Sequence, residues 1–189
     1  MKVVFVRHGE SEANVADFIN DDPKRIVNLT ERGREQAVAV AERLRHMAFS
    51  HTFASEFPRA QQTARIILQH HDRELVIDAR LNERKSGMDG LPTCTFNDLV
   101  RPDPIRIRPP HGENFIEQTE RLRSFLQSIE SLSADASVLV VSHEYPLRSI
   151  LMIAGVDEAQ AVRQIIPNCG MVIVTFRDGC WLLMPQLEE

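Results

Sequence analysis

The sequence predicts an α/β fold, and three observations carry that expectation. Short runs of Val, Ile, Leu and Ala recur between polar stretches, and several are followed by a polar junction and then a segment of helical periodicity. Aromatic residues make up only 6% of a chain that is 43% hydrophobic. A sheet covered by helices suits this pattern better than a β-sandwich. At 189 residues the chain can bury one sizeable core, so a single domain over 1–189 is expected.

Val3 to Val6 is a continuous apolar run of the kind buried on both faces of a parallel sheet. Thr30 can cap a helix that places Ala37, Val40, Ala41, Leu44 and Met47 or Ala48 on one face. The same order returns in "HTFASEFPRAQQTARIIL": a short strand at His51 to Ala54, then a helix with Pro58 in its first turn and Ala60, Ala64, Ile67 and Leu68 at helical spacing. Another strand is expected around Leu75 to Ile77. Asn114 and Glu117 make a capping box for a helix through Ile129, with Phe115, Leu122, Phe125, Leu126 and Ile129 on its buried side. "SVLVVSHEYPLRSILMIAG" reads as buried strand, polar junction and helix, closed by Gly155. "MVIVTF" and "CWLLM" then pair as a hairpin through "RDG".

The stretch from Lys85 to His111 breaks this order, being rich in Pro, Gly and Arg, without sustained periodicity, and long for a connection. It is expected to be a lid or cap beside the core, at about 85–111. No internal repeat, low-complexity tract or linker marks a second domain. The formal charge of −5 opposes non-specific attraction to nucleic acid or anionic membranes, so any anion bound should be small and locally held. Cys94, Cys169 and Cys180 are widely spaced, form no CxxC unit, and are expected as buried free thiols. The apolar run in "MKVVFVRHGE" is short for a signal peptide, and no stretch approaches the roughly 20 apolar residues of a membrane helix. The expected setting is therefore soluble, reducing and cytoplasmic; the sequence leaves oligomeric state open.

Strands of a parallel sheet gather their carboxyl ends along one edge, where ligands bind between diverging helices. The unusual residues fall there. "VVFV" ends in Arg7 and His8, "VLVV" in Ser142 and His143, the strand near Phe53 leads to Arg59, and Leu81 leads to Glu83. Arginines beside a helix start favour an anion, phosphate above all, because guanidinium forks and free backbone N–H groups both donate to its oxygens. Gly9 would let the backbone approach such a ligand and turn sharply. Neighbouring positive charge should hold a histidine neutral, leaving one ring nitrogen free to attack phosphorus. A desolvated Glu83 could protonate the leaving oxygen and later deprotonate water. Ser142 adjoins His143 and Ser11 follows three residues after His8, a closeness in sequence that gives no triad geometry, and His8 with Glu10 lacks a third metal ligand. His46, His51, His70, His71 and His111 are expected on helix surfaces or loop ends, with His111 best placed to line a pocket. Arg101, Arg106 and Arg108 either form a solvated loop face or meet a charged substrate.

"RHGESEAN", "LTERGREQA", "PRAQQTA", "LNERKSG" and "VVSHE" resemble, in order and spacing, the histidine phosphatase superfamily, also called phosphoglycerate-mutase-like proteins. The similarity runs from Val3 to the strand near Val174. It implies a three-layer α/β/α sandwich with a mostly parallel central sheet and no metal or other cofactor. It further implies that His8 is the phosphorylated nucleophile, that Arg7, Arg59 and His143 form the phosphate pocket, that Asn14 adds a phosphate contact, and that Glu83 is the general acid and base. Two positions depart from the family pattern. Glu144 follows His143 where a small residue is usual, adding a carboxylate to the pocket, and Asp89 with Gly90 stands where a glutamate and glycine are common.

The function expected is a metal-independent phosphomonoesterase acting through phosphohistidine on a small phosphorylated metabolite. The alternatives are a phosphoglycerate mutase, for which the chain looks short, and, in another class, a catalytically slow phosphate-binding or adaptor protein.

Overall fold

A computed structural model describes residues 1–185. In chain order the elements are β1 (Lys2–Arg7), α1 (Glu12–Ala16), α2 (Glu31–Leu44), β2 (His51–Ala54), α3 (Pro58–Ile67), β3 (Leu75–Ile77), α4 (Thr93–Val100), α5 (Phe115–Ile129), β4 (Ser137–Ser142), α6 (Glu144–Ile153), α7 (Glu158–Ala161), β5 (Met171–Arg177) and β6 (Cys180–Leu183). The strands form one sheet in the order β3-β2-β4-β1-β5-β6. β1 runs parallel to β4, and β2 parallel to β4 and β3; β5 is antiparallel to both its neighbours. Five strands therefore share one direction and only β5 opposes them, which is the mostly parallel sheet expected.

The apolar run of β1 is buried on both faces because successive side chains point to opposite sides of the sheet. Val3 and Phe5 pack with Val138, Val140 and the buried faces of α5 and α6, including Phe125 and Leu147. Val4 and Val6 pack on the other side with Leu139, Val141 and residues of α2 and α3, including Val40 and Ala64. Helices thus cover both faces, giving three layers. Phe115, Leu122, Phe125, Leu126 and Ile129 are all buried along α5, and Asn114 and Glu117 close the expected capping box. Asp178 and Gly179 both take positive φ in the two-residue β5–β6 turn, the geometry that matches strand twist.

Several expectations need correction. The second helix ends at Leu44, so Met47 and Ala48 lie beyond it, and Leu68 opens a 3-10 turn rather than closing α3. The stretch 85–111 contains the short helix α4, with Phe96 and Val100 buried. Cys94 and Cys180 are exposed and Cys169 is partly buried, so they are not the three buried thiols expected. Cys180 sits on β6 at the sheet edge and Cys94 in the first turn of α4, positions that face little packing. No helix among the described residues is long and apolar enough to cross a membrane.

Candidate active site

His8 leaves the carboxyl end of β1 and is almost completely buried. Its Nδ1 lies 2.7 Å from the carbonyl oxygen of Gly9. A carbonyl only accepts, so Nδ1 carries the proton and Nε2 keeps a lone pair. Nε2 accepts from Nε of Arg59 at 3.1 Å. Burial first, and then the charges of Arg59 and Arg7, hold the imidazole well below its usual pKa range. His8 is therefore a neutral base whose free nitrogen faces a guanidinium.

Arg59 comes from the first turn of α3, begun by Pro58, and is itself buried. One guanidinium nitrogen donates to Oδ1 of Asn20; the other donates to the Asn20 carbonyl at 3.2 Å and to Nδ1 of His143 at 3.2 Å. The group stacks over Phe57 at 4.4 Å. Burial lowers its pKa to about 10, still far above neutral. His143 ends β4 and is fully buried; since its Nδ1 accepts from arginine, its Nε2 donates to Oγ of Ser55 at 2.7 Å. Its pKa is also well below the usual range, from burial and then from Arg59. The structure brings His143 against His8, with ring centroids 5.1 Å apart, and sets it behind Arg59.

Arg7 donates to the Ile166 carbonyl at 2.5 Å and to Glu144 at 3.0 Å, while its buried Nε has no protein partner. Glu83 is partly buried and accepts from the backbone N–H of Arg84 at 2.8 Å. Burial raises its pKa against the opposing pull of that N–H, Arg59 and Arg7. Arg7, His8, Asn14, Arg59, Glu83 and Glu144 line one cavity of about 330 Å³. Asn14 lies in the capping box of α1, and its Oδ1 accepts from Ser11 and, at 3.3 Å, from Asn168. Its amide nitrogen is the group left for a ligand.

Gly9 makes its close approach elsewhere. A Cβ there would fall 2.3 Å from the carbonyl oxygen of Gly33 in α2, and its N–H donates to Thr63 at 3.1 Å. The missing side chain lets α2 pack against the loop that carries His8. Glu10 turns toward Thr30, Ser142 donates to the Leu81 carbonyl, and His111 lies outside the cavity wall. Arg101, Arg106 and Arg108 pair with Asp98, Asp103, Glu158 and Glu117 rather than facing the cavity. Asp89 accepts from Asn20 Nδ2, the N–H of Asp21 and Arg25, so it anchors the loop that fixes Arg59.

Sequence reasoning missed Asn20, Ser55 and Thr63, whose partners lie 39, 88 and 54 residues away in sequence. A buried polar residue with a distant partner leaves no local pattern. Among the described residues no group of three or more His, Cys, Asp or Glu side chains is placed to hold a metal ion.

An electropositive cavity with an uncharged imidazole nitrogen at its floor can bind an oxyanion and attack it. The family model of the histidine phosphatase superfamily (branch 1) matches residues 3–185, and the chain belongs to that superfamily. A protein of Escherichia coli O1:K1 named "Probable phosphoglycerate mutase GpmB" is 29% identical over 203 residues, covering 100% of this chain and 91% of its own. Its namesake in Shigella boydii serotype 18 is 30% identical over 202 residues, with the same coverage. The solved α-ribazole phosphatase of Shigella flexneri superposes with TM-score 0.84 at 23% identity, covering 97% of this chain and 95% of that one. A mycobacterial glucosyl-3-phosphoglycerate phosphatase gives 0.82 at 22% identity, over 96% of each chain. At these identities the structural likeness is one of fold.

Proposed function

We propose that this histidine phosphatase is a metal-independent phosphomonoesterase that works through a phosphohistidine at His8 on a small phosphorylated metabolite. The observation that carries the reading is the 2.7 Å contact of His8 Nδ1 with the Gly9 carbonyl, which leaves Nε2 unprotonated and accepting from Arg59. A phosphate oxygen that accepts from Arg59 takes over the N–H now held by Nε2 and frees that lone pair for phosphorus. Nε2 attacks, the P–O ester bond breaks, and protonated Glu83 gives its proton to the leaving alkoxide. Glu83, now a carboxylate, takes a proton from water; the hydroxide attacks phosphorus, the P–N bond breaks, and phosphate leaves with His8 neutral again.

Arg7 and Arg59, with the amide of Asn14, meet the charge on the transferring group from fixed positions. His143 acts on the phosphate through Arg59, which it orients. The stretch 85–111 supplies Ser86, Thr93, Phe96 and Asn97 to the cavity wall and is the cap that meets the leaving group. The acidic overall charge fits a small-molecule partner rather than nucleic acid or a membrane surface, and unpaired cysteines fit the cytoplasm.

The names of the bacterial relatives favour a second reading, a phosphoglycerate mutase using the same intermediate. Hydrolysis of an aryl phosphate in the presence of a chelator, abolished by His8→Ala, supports the first reading; activity surviving that change refutes the nucleophile. Isomerisation of phosphoglycerate after priming with bisphosphoglycerate, faster than its hydrolysis, would establish the mutase instead.

A further inference from the structure

Beyond the phosphate site, the cavity wall combines apolar surface with cations that are already engaged. Phe18, Ile19, Phe96 and Tyr145 contribute the apolar part, with Phe96 and Tyr145 edge to face at 5.8 Å. Arg84 reaches this wall, but its three guanidinium nitrogens donate to the carbonyls of Glu113, Pro104 and Ile107, and the group lies over both rings. Arg148 donates to Glu144 at 2.5 Å and to the Gln164 carbonyl at 2.8 Å, and lies over Tyr145. Arg84 keeps no unused guanidinium nitrogen for a second anion, and the charge of Arg148 is already paired with Glu144.

The carboxylates add to this bias. Glu144 bridges Arg7 and Arg148, and Asp21 enters the same wall, held by Ser86 and the N–H of Gly87. Four arginines against Asp21, Glu83 and Glu144 leave a formal surplus of one positive charge, or two while Glu83 holds its proton, which one phosphate dianion consumes. A second negative group on the same ligand would sit beside Glu144 and Asp21 in a wall whose arginines are already paired with a carboxylate or bonded to carbonyls, an arrangement that works by rejecting the wrong partner.

We infer that Glu144 is a specificity-determining residue, and that the substrate is a phosphate monoester whose alcohol is uncharged or carries an amine cation and presents an apolar face. This rests on the phosphomonoesterase reading. It sets aside bisphosphates and carboxylate-bearing esters such as phosphoglycerate, and it supplies a reason for the glutamate at a position where the sequence pattern has a small residue.

The test compares kcat/KM of the full chain on phenyl phosphate, phosphoethanolamine and 3-phosphoglycerate, for the wild type and for Glu144→Gln. In the wild type, phenyl phosphate and phosphoethanolamine should each exceed 3-phosphoglycerate by about tenfold or more, since juxtaposed like charges are strongly disfavoured. Glu144→Gln should narrow the ratio of phenyl phosphate to 3-phosphoglycerate several-fold even if it lowers both values by loosening Arg7. Should the variant fail to fold, the wild-type ranking alone decides. Equal or faster turnover of 3-phosphoglycerate overturns the inference and leaves the phosphatase reading standing. An unchanged ratio in Glu144→Gln reduces Glu144 to a support for Arg7 and also overturns it. No turnover of any of the three overturns the phosphatase reading itself.

Discussion

The Nε–H of Arg59 meets Nε2 of His8 at 3.1 Å, so a buried guanidinium is aimed at the unprotonated nitrogen of that imidazole. The same guanidinium is fixed from behind by both oxygens of Asn20 and by His143. Arg59 therefore couples two tasks. It adds to burial in holding His8 neutral, and in the proposed mechanism it presents donors where negative charge develops.

Removing it should show both. Arg59→Ala should lower kcat on an aryl phosphate by roughly 10² to 10³, the scale of losing a fixed oxyanion donor. With its charge gone, the His8 pKa should rise, moving the acid limb of the kcat/KM profile to higher pH. Arg59→Lys keeps a charge but not the planar fork, and should restore the acid limb better than the rate. A rate within a few-fold of wild type in the alanine variant would remove Arg59 from the mechanism.

The pH profile of the wild type follows from two opposite displacements. In the proposed mechanism His8 must be unprotonated and Glu83 protonated; His8 is held low by burial and by Arg59 and Arg7, and Glu83 is held high by burial. Activity should rise as pH increases through the His8 pKa and fall as it increases through that of Glu83, giving a bell. Glu83→Gln should lower kcat most for poor leaving groups, whose alkoxide needs the proton, and should flatten the alkaline limb. An alkaline limb unchanged in that variant would assign it to another group.

Much of this was legible in the sequence because it was written in local patterns. Four apolar residues in β1 can only be buried on both sides, which fixes a covered sheet, and such a sheet sends Arg7, His8 and His143 to one edge. Pro58 starts α3 and so places Arg59 in its first turn. Asn20 and Asp89 could not be read in this way, since their roles arise when two loops 69 residues apart in sequence meet. The cysteines misled for a related reason. Composition makes a free thiol a good core residue, but only topology decides that β6 is an edge strand.

Helix α2 offers a test of packing. Gly33 sits in its first turn, where alanine would ordinarily stabilise a helix by about 1 kcal/mol. A Cβ at this position would fall 2.0 Å from the backbone oxygen of Glu10, and backbone cannot swing aside as a side-chain tip can. Gly33→Ala should therefore destabilise the protein by about 1–3 kcal/mol. Because the strain bears on the loop after His8, activity should fall in the folded variant as well. Urea unfolding that shows equal or greater stability would mean the two backbones are not in contact.

Acid should destabilise this protein through its active site. His8 and His143 are both buried with pKa values well below the usual imidazole range, burial being the larger cause and Arg59 the next. In the unfolded chain each takes up a proton near pH 6.5, so their contribution to stability is full above that pH and is lost as pH falls toward the folded values. Two protons bound by the unfolded state alone correspond to a slope of about 2.7 kcal/mol per pH unit. Glu83 works in the other direction. Its folded pKa is raised, so the folded state holds a proton that the unfolded state has released above about pH 4.3, and this contribution is lost as pH rises through the folded value. Stability from urea unfolding should therefore fall between pH 7 and pH 5.5, more steeply in Glu83→Gln than in the wild type and less steeply in His143→Gln. A flat profile in all three would show that the imidazoles gain protons as readily in the folded protein as in the unfolded one, and with that the neutral nucleophile would be lost.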